Sequence, residues 1–201
     1  MTINCPACGA AIPIQIKYTK LVVCSHCRMS LFLEDDVVRQ AGKMSVLVDA
    51  APLLSLGQRF YCSKFTFIPM GRMRYDYGHG FWDEWWVNAN DGGQYWVSID
   101  EGDIAIQKKI ELTFSSIPAF SDLKIGQILN IDGKELEVTE KNSCKCVNWE
   151  GELPFQITAQ DTVNFVDLSA APDFIYSLEY FPDGIECFKG EWLDSSELKA
   201  G

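Results

Sequence analysis

The stretch FWDEWWVNANDGGQYWV, residues 81–97, predicts a β-hairpin and thereby decides the fold class. Aromatic and β-branched residues lie on both sides of the turn sequence NDGG, which is typical of two paired strands. Four of the six tryptophans of the chain lie in this stretch. They give the hairpin more apolar surface than one small sheet can cover on one side.

The length of the turn determines which side chains of the hairpin share a face. A three-residue loop Asp91-Gly92-Gly93 would pair Asn90 with Gln94 and place the two strands' tryptophans diagonally opposite each other. One face is then apolar: Trp85, Val87, Ala89, Tyr95, Val97 and Ile99. The other is mixed: Glu84, Trp86, Asn88, Gln94, Trp96 and Ser98. A two-residue loop would instead make both faces apolar.

With the three-residue loop, Trp86 and Trp96 form an exposed aromatic pair beside an acidic residue. Three interpretations remain open: packing between parts of the same chain, a surface for a protein partner, and a cage for a small ligand. The candidate interaction surface consists of Trp82, Glu84, Trp86 and Trp96.

The first 33 residues predict a metal site. Two Cys-x-x-Cys pairs, Cys5 with Cys8 and Cys24 with Cys27, are separated by fifteen residues, which is the spacing of a zinc ribbon with four cysteine ligands. Gly9 suits the left-handed backbone that follows such a pair, whereas Arg28 in the second pair departs from this pattern. A closed four-thiolate Zn²⁺ site has a structural role, because no coordination position is left for chemistry.

The rest of the chain carries a faint internal repeat. LSLGQRF (54–60) returns as LKIGQIL (123–129), and YWVSIDEGDIAIQKK (95–109) returns as YSLEYFPDGIECFKG (176–190). The latter two segments have the pattern of strand, acidic-glycine turn and strand. They predict two tandem β-units.

The predicted fold is all-β, with an N-terminal zinc ribbon followed by two similar small β-barrel or curved-sheet units. We assign residues 1–33 to the ribbon, 34–53 to a connector, 54–118 to the first β-unit and 119–201 to the second. The connector contains one predicted short strand, in which Met44, Val46 and Val48 alternate with other residues, and a boundary is expected near Pro52.

Composition and charge narrow the classes of function. The net charge is −11, yet residues 1–45 hold five Lys and Arg against three Asp and Glu, so the acidic excess lies in the β-units. Such a surface repels nucleic acid and anionic lipids. No run of about 18 apolar residues and no secretory signal pattern is present, so we expect a cytoplasmic protein that reaches a membrane only through a partner.

No group of residues predicts catalysis, and we expect a protein that is not an enzyme. His79 lies near three acidic residues in a glycine-flanked turn, which is common without function. Cys62, Cys144, Cys146 and Cys187 are expected to be reduced thiols, because the C-x-C spacing on a strand does not form a metal-binding knuckle.

Several phrases occur together with the four cysteines and the tryptophan hairpin: LSLGQRF, LKIGQILNIDGKELEVTE (123–140), FVDL (165–168) and IECFKGEWLD (185–194). This combination resembles the bacterial domain-of-unknown-function family numbered 4178, most specifically in Asp83-Glu84-Trp85 and Gly190-Glu191-Trp192. The resemblance covers nearly the whole chain. It implies no activity, but it implies genes encoded beside membrane-associated stress proteins and polyamine-synthase-like enzymes, and hence an accessory role.

Three hypotheses follow. The first is a zinc-stabilised adaptor that docks a protein partner through the tryptophan hairpin. The second is a binding protein for a small cation such as a polyamine, held by aromatic faces and carboxylates. The third is nucleic-acid binding through the ribbon, whose basic residues are Lys17, Lys20 and Arg28.

Overall fold

A computed structural model describes residues 1–34, 37–43, 52–112, 117–158, 162–171 and 174–201. These residues form strands and two short 3₁₀ turns, Phe120–Asp122 and Ser195–Glu197, so the predicted all-β class is confirmed. The strands are β1 (Thr2–Asn4), β2 (Ala11–Pro13), β3 (Leu21–Val23), β4 (Met29–Glu34), β5 (Val37–Lys43), β6 (Phe60–Tyr61), β7 (Thr66–Asp76), β8 (Phe81–Ala89), β9 (Gln94–Asp100), β10 (Asp103–Ile110), β11 (Ile128–Ile131), β12 (Lys134–Leu153), β13 (Thr162–Ala171), β14 (Phe174–Phe181), β15 (Gly184–Leu193) and β16 (Lys199–Ala200).

Eight strands close into an antiparallel barrel. Strands β7 to β10 form one four-stranded meander and β12 to β15 form another. The meanders join twice, because β10 pairs with β15 and β7 pairs with β12. A closed barrel leaves no free sheet edge, and one of eight strands has an interior just wide enough to be filled by side chains or to hold one small ligand.

The two meanders correspond to the repeat in the sequence. The β9–β10 and β14–β15 hairpins contain the two repeated segments 95–109 and 176–190. Each meander also has its own apolar layer on its outer face. Leu54 and Phe60 of the segment LSLGQRF pack in one layer with Trp85 and Val97. The second segment, LKIGQIL, supplies Leu123 and Leu129 to the equivalent layer of the other meander. Each half is therefore a curved sheet with its own outer core, joined to its counterpart edge to edge.

Two glycines allow β7 and β12 to approach each other where the barrel closes. Gly71 and Gly151 are paired across this seam. A Cβ atom on Gly71 would lie 2.2 Å from the Glu152 carbonyl oxygen, and one on Gly151 would lie 2.3 Å from the Met70 carbonyl oxygen. Gly151 also has a φ of 75°, which side chains disfavour. The close approach thus requires the absence of a side chain on both strands.

We expect Gly151→Ala to destabilise the barrel by roughly 2–5 kcal/mol, since it combines left-handed strain with a clash against backbone. Gly133→Ala is the matched control. Gly133 has almost the same φ, 76°, but its Cβ would meet no atom within 4 Å. Urea denaturation of both variants measures the difference, and equal losses of stability would contradict the role of close packing at the seam.

The β8–β9 hairpin has the division of faces predicted for a three-residue loop but a different pairing. The loop is one residue earlier than predicted, because Asn88 pairs with Gln94 and the loop spans Asn90 to Gly92. Trp86 therefore stands directly opposite Trp96 and not diagonally. The predicted apolar face, which includes Trp85 at 1% exposure, is buried in the outer layer. Moving a three-residue loop by one position shifts the register between the strands by two residues. Each side chain therefore stays on the same face.

The predicted domain boundaries stay a prediction. Of the predicted connector, residues 37–43 form β5, which pairs with β4 and extends the ribbon sheet. Met44, Val46 and Val48, the predicted connector strand, lie outside the described residues. In the described part of the chain, no helix is long and apolar enough to cross a membrane.

Candidate functional site

The four N-terminal cysteines come together as the sequence predicts. The ligand atoms of Cys5, Cys8, Cys24 and Cys27 all lie within 4.8 Å of one another. The Sγ atoms of Cys5 and Cys27 are 3.7 Å apart, and those of Cys8 and Cys24 are 3.8 Å apart. A tetrahedral ion with metal–sulfur bonds of about 2.3 Å requires about 3.8 Å between sulfurs. The cluster therefore has the dimensions of a four-thiolate metal site.

The backbone explains how each cysteine pair turns its sulfurs to one point. The amide of Gly9 donates to the Cys5 carbonyl oxygen, and the amide of Arg28 donates to the Cys24 carbonyl oxygen, at 2.8 and 2.9 Å. Gly9 has a φ of 76° and Arg28 a φ of 59°. Arg28 thus adopts the left-handed conformation that the sequence pattern assigns to glycine, and the second turn has the same geometry as the first.

The ribbon is attached to the barrel through β12. Its end pairs with β3, and the buried Glu152 carboxylate accepts hydrogen bonds from the ribbon backbone. Its donors are the amides of Gln15 and Ile16, at 3.0–3.1 Å, and the hydroxyl of Thr19, at 2.8 Å. Farther along the same strand, the indole of Trp149 donates to the buried Ser30 hydroxyl of β4. These contacts place the cysteine cluster on the outside of the barrel.

The mixed face of the hairpin lies inside the barrel. Trp86 and Trp96 are 6% and 7% exposed, with ring centroids 4.9 Å apart. Trp82 contacts Phe165 of β13 across the interior, at a centroid distance of 5.1 Å. Glu84 lies in the same interior. The prediction of an exposed Trp86–Trp96 pair is therefore wrong, because closure of the two meanders turns this face inward.

Two adjoining cavities lie in the interior that the described strands enclose. The smaller one, about 110 Å³, has walls from all eight barrel strands. The larger one, about 920 Å³, extends past Trp86 and Trp96 to the loops at residues 92–94 and 154–157. Four residues line both cavities and so lie where the two adjoin: Tyr75, Glu84, Val163 and Glu179. The larger volume is in the range of ordinary small-molecule sites.

Three carboxylates project into this interior from different strands: Glu84 of β8, Asp167 of β13 and Glu179 of β14. Each keeps part of its surface open to the cavities while the barrel wall surrounds it. Glu84 accepts from the Trp82 indole at 3.1 Å, and Asp167 accepts from the Ser177 hydroxyl at 2.5 Å. Within the described residues, no hydrogen bond or ion pair reaches the Glu179 carboxylate.

Burial dominates the electrostatics of these groups. It raises the pKa of the Glu84 carboxyl to about 7, and the nearby negative charge of Asp167 raises it as well, against the hydrogen bond from Trp82. Burial likewise raises the pKa of Asp167 to about 7. The pKa of Glu179 is raised well above its ordinary value by burial and by repulsion from Glu84. Three carboxyl groups with elevated pKa values thus share a space that would stabilise an added positive charge.

The smaller cavity is acidic at its outer end too. Asp100, Asp103 and Glu140 line it, and no lysine, arginine or histidine is among its described lining residues. Trp192, 45% exposed, lies on the same wall. The carboxylates are not close enough together to act as one metal site: among the described residues, only the four cysteines form a group of three or more ligands within metal-binding distance.

The Asp83-Glu84-Trp85 motif spans the barrel wall. Asp83 points outward and accepts from Arg72 at 2.5 Å and from Arg74 at 2.8–2.9 Å. Arg72 in turn lies over the Trp85 ring, 4.9 Å from its centroid. Only Glu84 of the three faces the cavities. The motif therefore contributes Asp83 to a buried ion-pair network on the outer face of the barrel wall and Glu84 to the interior.

The Gly190-Glu191-Trp192 motif combines a glycine needed for strand pairing with an ion pair. A Cβ on Gly190 would lie 1.9 Å from the Ile106 carbonyl oxygen, so glycine permits the close pairing of β10 and β15. Glu191 forms an ion pair with Lys64.

The other residues considered in the sequence analysis lie apart from these sites. His79 is exposed in the turn between β7 and β8. None of the four cysteines outside the ribbon forms a disulfide, and Cys144, Cys146 and Cys187 are buried, at most 2% exposed. Cys62 is partly exposed and its thiol contacts the Phe65 carbonyl oxygen.

Asp167 and Glu179 are site residues that no sequence motif predicted. The internal repeat contains the signal that would have found them. Aligning the two repeats places Glu84 and Trp86 at the positions of Phe165 and Asp167, and Trp96 and Ser98 at those of Ser177 and Glu179. Residues equivalent to the mixed hairpin face therefore line the same interior.

These features define a class: a closed eight-stranded antiparallel β-barrel with an internal acidic cavity and a separate four-cysteine ribbon. The profile of a family described as a domain of unknown function (DUF4178) matches residues 55–195, which include the whole barrel, and the chain belongs to this family. The resemblance noted in the sequence is thus confirmed. No curated protein and no solved structure shows significant similarity to the chain.

Proposed function

We propose that this protein binds a small organic cation inside the barrel. The observation that carries the proposal is the placement of Glu84, Asp167 and Glu179 around the smaller interior cavity, whose described lining residues include no lysine, arginine or histidine. A buried negative charge is costly unless it is paired. An ammonium group would supply the missing counter-charge, and its N–H groups would satisfy the carboxylate oxygens.

The aromatic walls support the same class of ligand. Tyr75 and Trp82 stack with ring centroids 5.1 Å apart beside Glu84, and Phe165, in edge contact with Trp82, also lines the small cavity. The faces of aromatic rings attract cations, most strongly where water is excluded. A polyamine is one such cation. Binding alone, without a reaction, accounts for these features.

The ribbon has a separate, structural part in this proposal. Four thiolates at tetrahedral spacing favour Zn²⁺, which would fix the ribbon against β12. Such a reduced site is consistent with the cytoplasmic location expected from the sequence. Nucleic-acid binding stays a prediction that depends on Lys17, Lys20 and Arg28, all of which are exposed.

An adaptor role has less support than ligand binding. The hypothesis relied on Trp86 and Trp96 as an exposed anchor pair, and both side chains are inside the barrel. A partner would have to contact other residues.

Calorimetric titration with butylamine, putrescine and spermidine at pH 8 tests the proposal, with the tryptophan emission of the barrel as a second signal. We expect saturable binding of at least one of these amines, weakened at least tenfold in Glu179→Gln, because a charge-assisted contact is lost. Glu135→Gln removes an exposed acid from the outer surface and is the matched control. Absence of saturable binding by every amine, or equal weakening in the control, would refute the proposal.

A further inference from the structure

The two cavities differ in chemistry as well as in size. The carboxylates Glu84 and Glu179 lie at the inner end of the larger cavity, where it meets the smaller one. The remainder of the large cavity is lined mainly by aromatic and aliphatic side chains: Met73, Trp86, Trp96, Phe155, Ile157, Phe181 and Phe188. One continuous space thus has a charged end and an apolar body.

The volume of the larger cavity also limits the ligand. At about 920 Å³ it is near the upper end of the range for drug-sized molecules. A simple alkyl polyamine would fill only a small part of this space. Water would occupy the rest, and water against apolar walls does not stabilise the complex. Apolar surface is stabilised when an apolar group replaces that water.

The charged residues at the outer rim of the larger cavity add no net negative charge to it. The rim contains Lys108 and Lys109 together with Asp183 and Glu186. Lys109 pairs with Glu186 at 2.6 Å, and Lys108 lies over the Tyr95 ring at 5.9 Å. The rim is therefore balanced in charge, and the unpaired negative charge is confined to the inner end.

We infer that the ligand is an amphiphilic amine, whose ammonium group sits between Glu84 and Glu179 and whose single bulky apolar part fills the larger cavity against Trp86, Trp96 and Phe188. This inference rests on the proposed cation binding and specifies its ligand. In this placement the ammonium end lies innermost, and the apolar part extends toward residues 92–94 and 154–157.

A homologous series of primary alkylamines with four to ten carbons, kept below the concentration at which they form micelles, tests the inference on the full-length protein. We expect each added methylene to tighten binding about three- to fourfold, because each is transferred from water to an apolar wall. The alcohols of the same chain length should bind at least tenfold more weakly than the amines, since they lack the charge. Spermidine should bind more weakly than the ten-carbon amine.

Two variants separate the ends of the site. Phe155→Ala removes a ring that lines the large cavity, 5.8 Å from Trp96, and Phe155 is sufficiently exposed (36%) that the fold should tolerate the change. It should weaken the ten-carbon amine severalfold while leaving butylamine unchanged. Ile128→Ala, an exposed apolar residue outside the barrel, is the control.

The outcomes distinguish this inference from the proposed function. Spermidine binding more tightly than every alkylamine, or an affinity independent of chain length, overturns the amphiphilic ligand and leaves cation binding intact. Equal affinities of amines and matching alcohols overturn both, because the carboxylates would then have no role. Failure of all amines to bind also overturns both.

Discussion

Glutamine at positions 84 and 179 will raise the temperature of thermal unfolding of the ligand-free protein at pH 8, by roughly 5 °C in the double variant. Burial raises the pKa of Glu84 from 4.5 to about 7 and that of Glu179 well above its ordinary value. Between those ordinary and raised values the folded chain holds more protons than the unfolded chain, so stability falls as pH rises through this window. Because glutamine cannot ionise, the double variant does not lose this stability as the pH rises.

The pH profile is the decisive measurement. In the wild-type protein without ligand, the unfolding temperature should fall from pH 5.5 to pH 8, and the double variant should show a weaker fall. The groups that act on Glu84 and Glu179 are Asp167, Glu186 and Lys109, so these must stay unchanged in the comparison. Glu135→Gln should reproduce the wild-type profile. A double variant that is less stable than wild type at pH 8 would contradict the prediction.

Bound ligand should reverse the pH dependence of the stability of the wild-type protein. An ammonium group favours the ionised carboxylates, so its binding releases protons and becomes tighter from pH 6 to pH 8. Calorimetry in two buffers of different ionisation enthalpy counts those protons directly. Residues that lower the stability of the free protein but stabilise its complex are typical of binding sites. Proton uptake on binding would be the opposite result.

Loss of the metal will unfold the ribbon and leave the barrel intact. Cys24→Ser should reduce the zinc content from the one ion per chain proposed above to none, measured by mass spectrometry of the metal, because the fourth thiolate completes the tetrahedron. Amides of the ribbon should then lose most of their protection from hydrogen exchange, since metal binding supplies much of the folding free energy of such small modules. Barrel amides should stay protected, because its eight strands close on themselves.

Cys62→Ser is the control, since Cys62 is distant in sequence and outside the cluster. It should keep the metal and the exchange pattern of the wild-type protein. Iron in place of zinc would show that the site is of a different kind. Simultaneous loss of protection in ribbon and barrel would contradict their independence.

The sequence predicted local features well because each depends on neighbouring residues. Cysteine spacing predicted the cluster, and the three-residue loop, one of two considered for residues 81–97, gave both hairpin faces correctly. The exact pairing differed because NDGG permits more than one loop, and the observed loop from Asn90 to Gly92 places the positive φ of 79° at Gly92. Such choices are decided by contacts on the flanking strands.

The interior could not be predicted in the same way, because it is a product of long-range pairing. Whether the mixed face of the hairpin meets solvent or a cavity depends on β7 joining β12 and β10 joining β15. These strands are far apart in sequence, and the glycines that permit the contact, Gly71 and Gly151, have no visible relation to each other in the chain. An acid such as Glu179 in a strand is typical of an exposed face until the barrel closes around it.

The way the meanders join, first strand with first and last with last, is the arrangement that two identical chains would adopt about a two-fold axis. A symmetric dimer of one meander would carry every interior residue twice. Fusion into one chain removes that constraint. The pair Trp86–Trp96 in one half corresponds to Asp167–Ser177 in the other, and Glu84–Ser98 corresponds to Phe165–Glu179. Duplication followed by divergence would thus produce a polar, directional cavity, which a two-fold symmetric ancestor could not have offered to an asymmetric molecule.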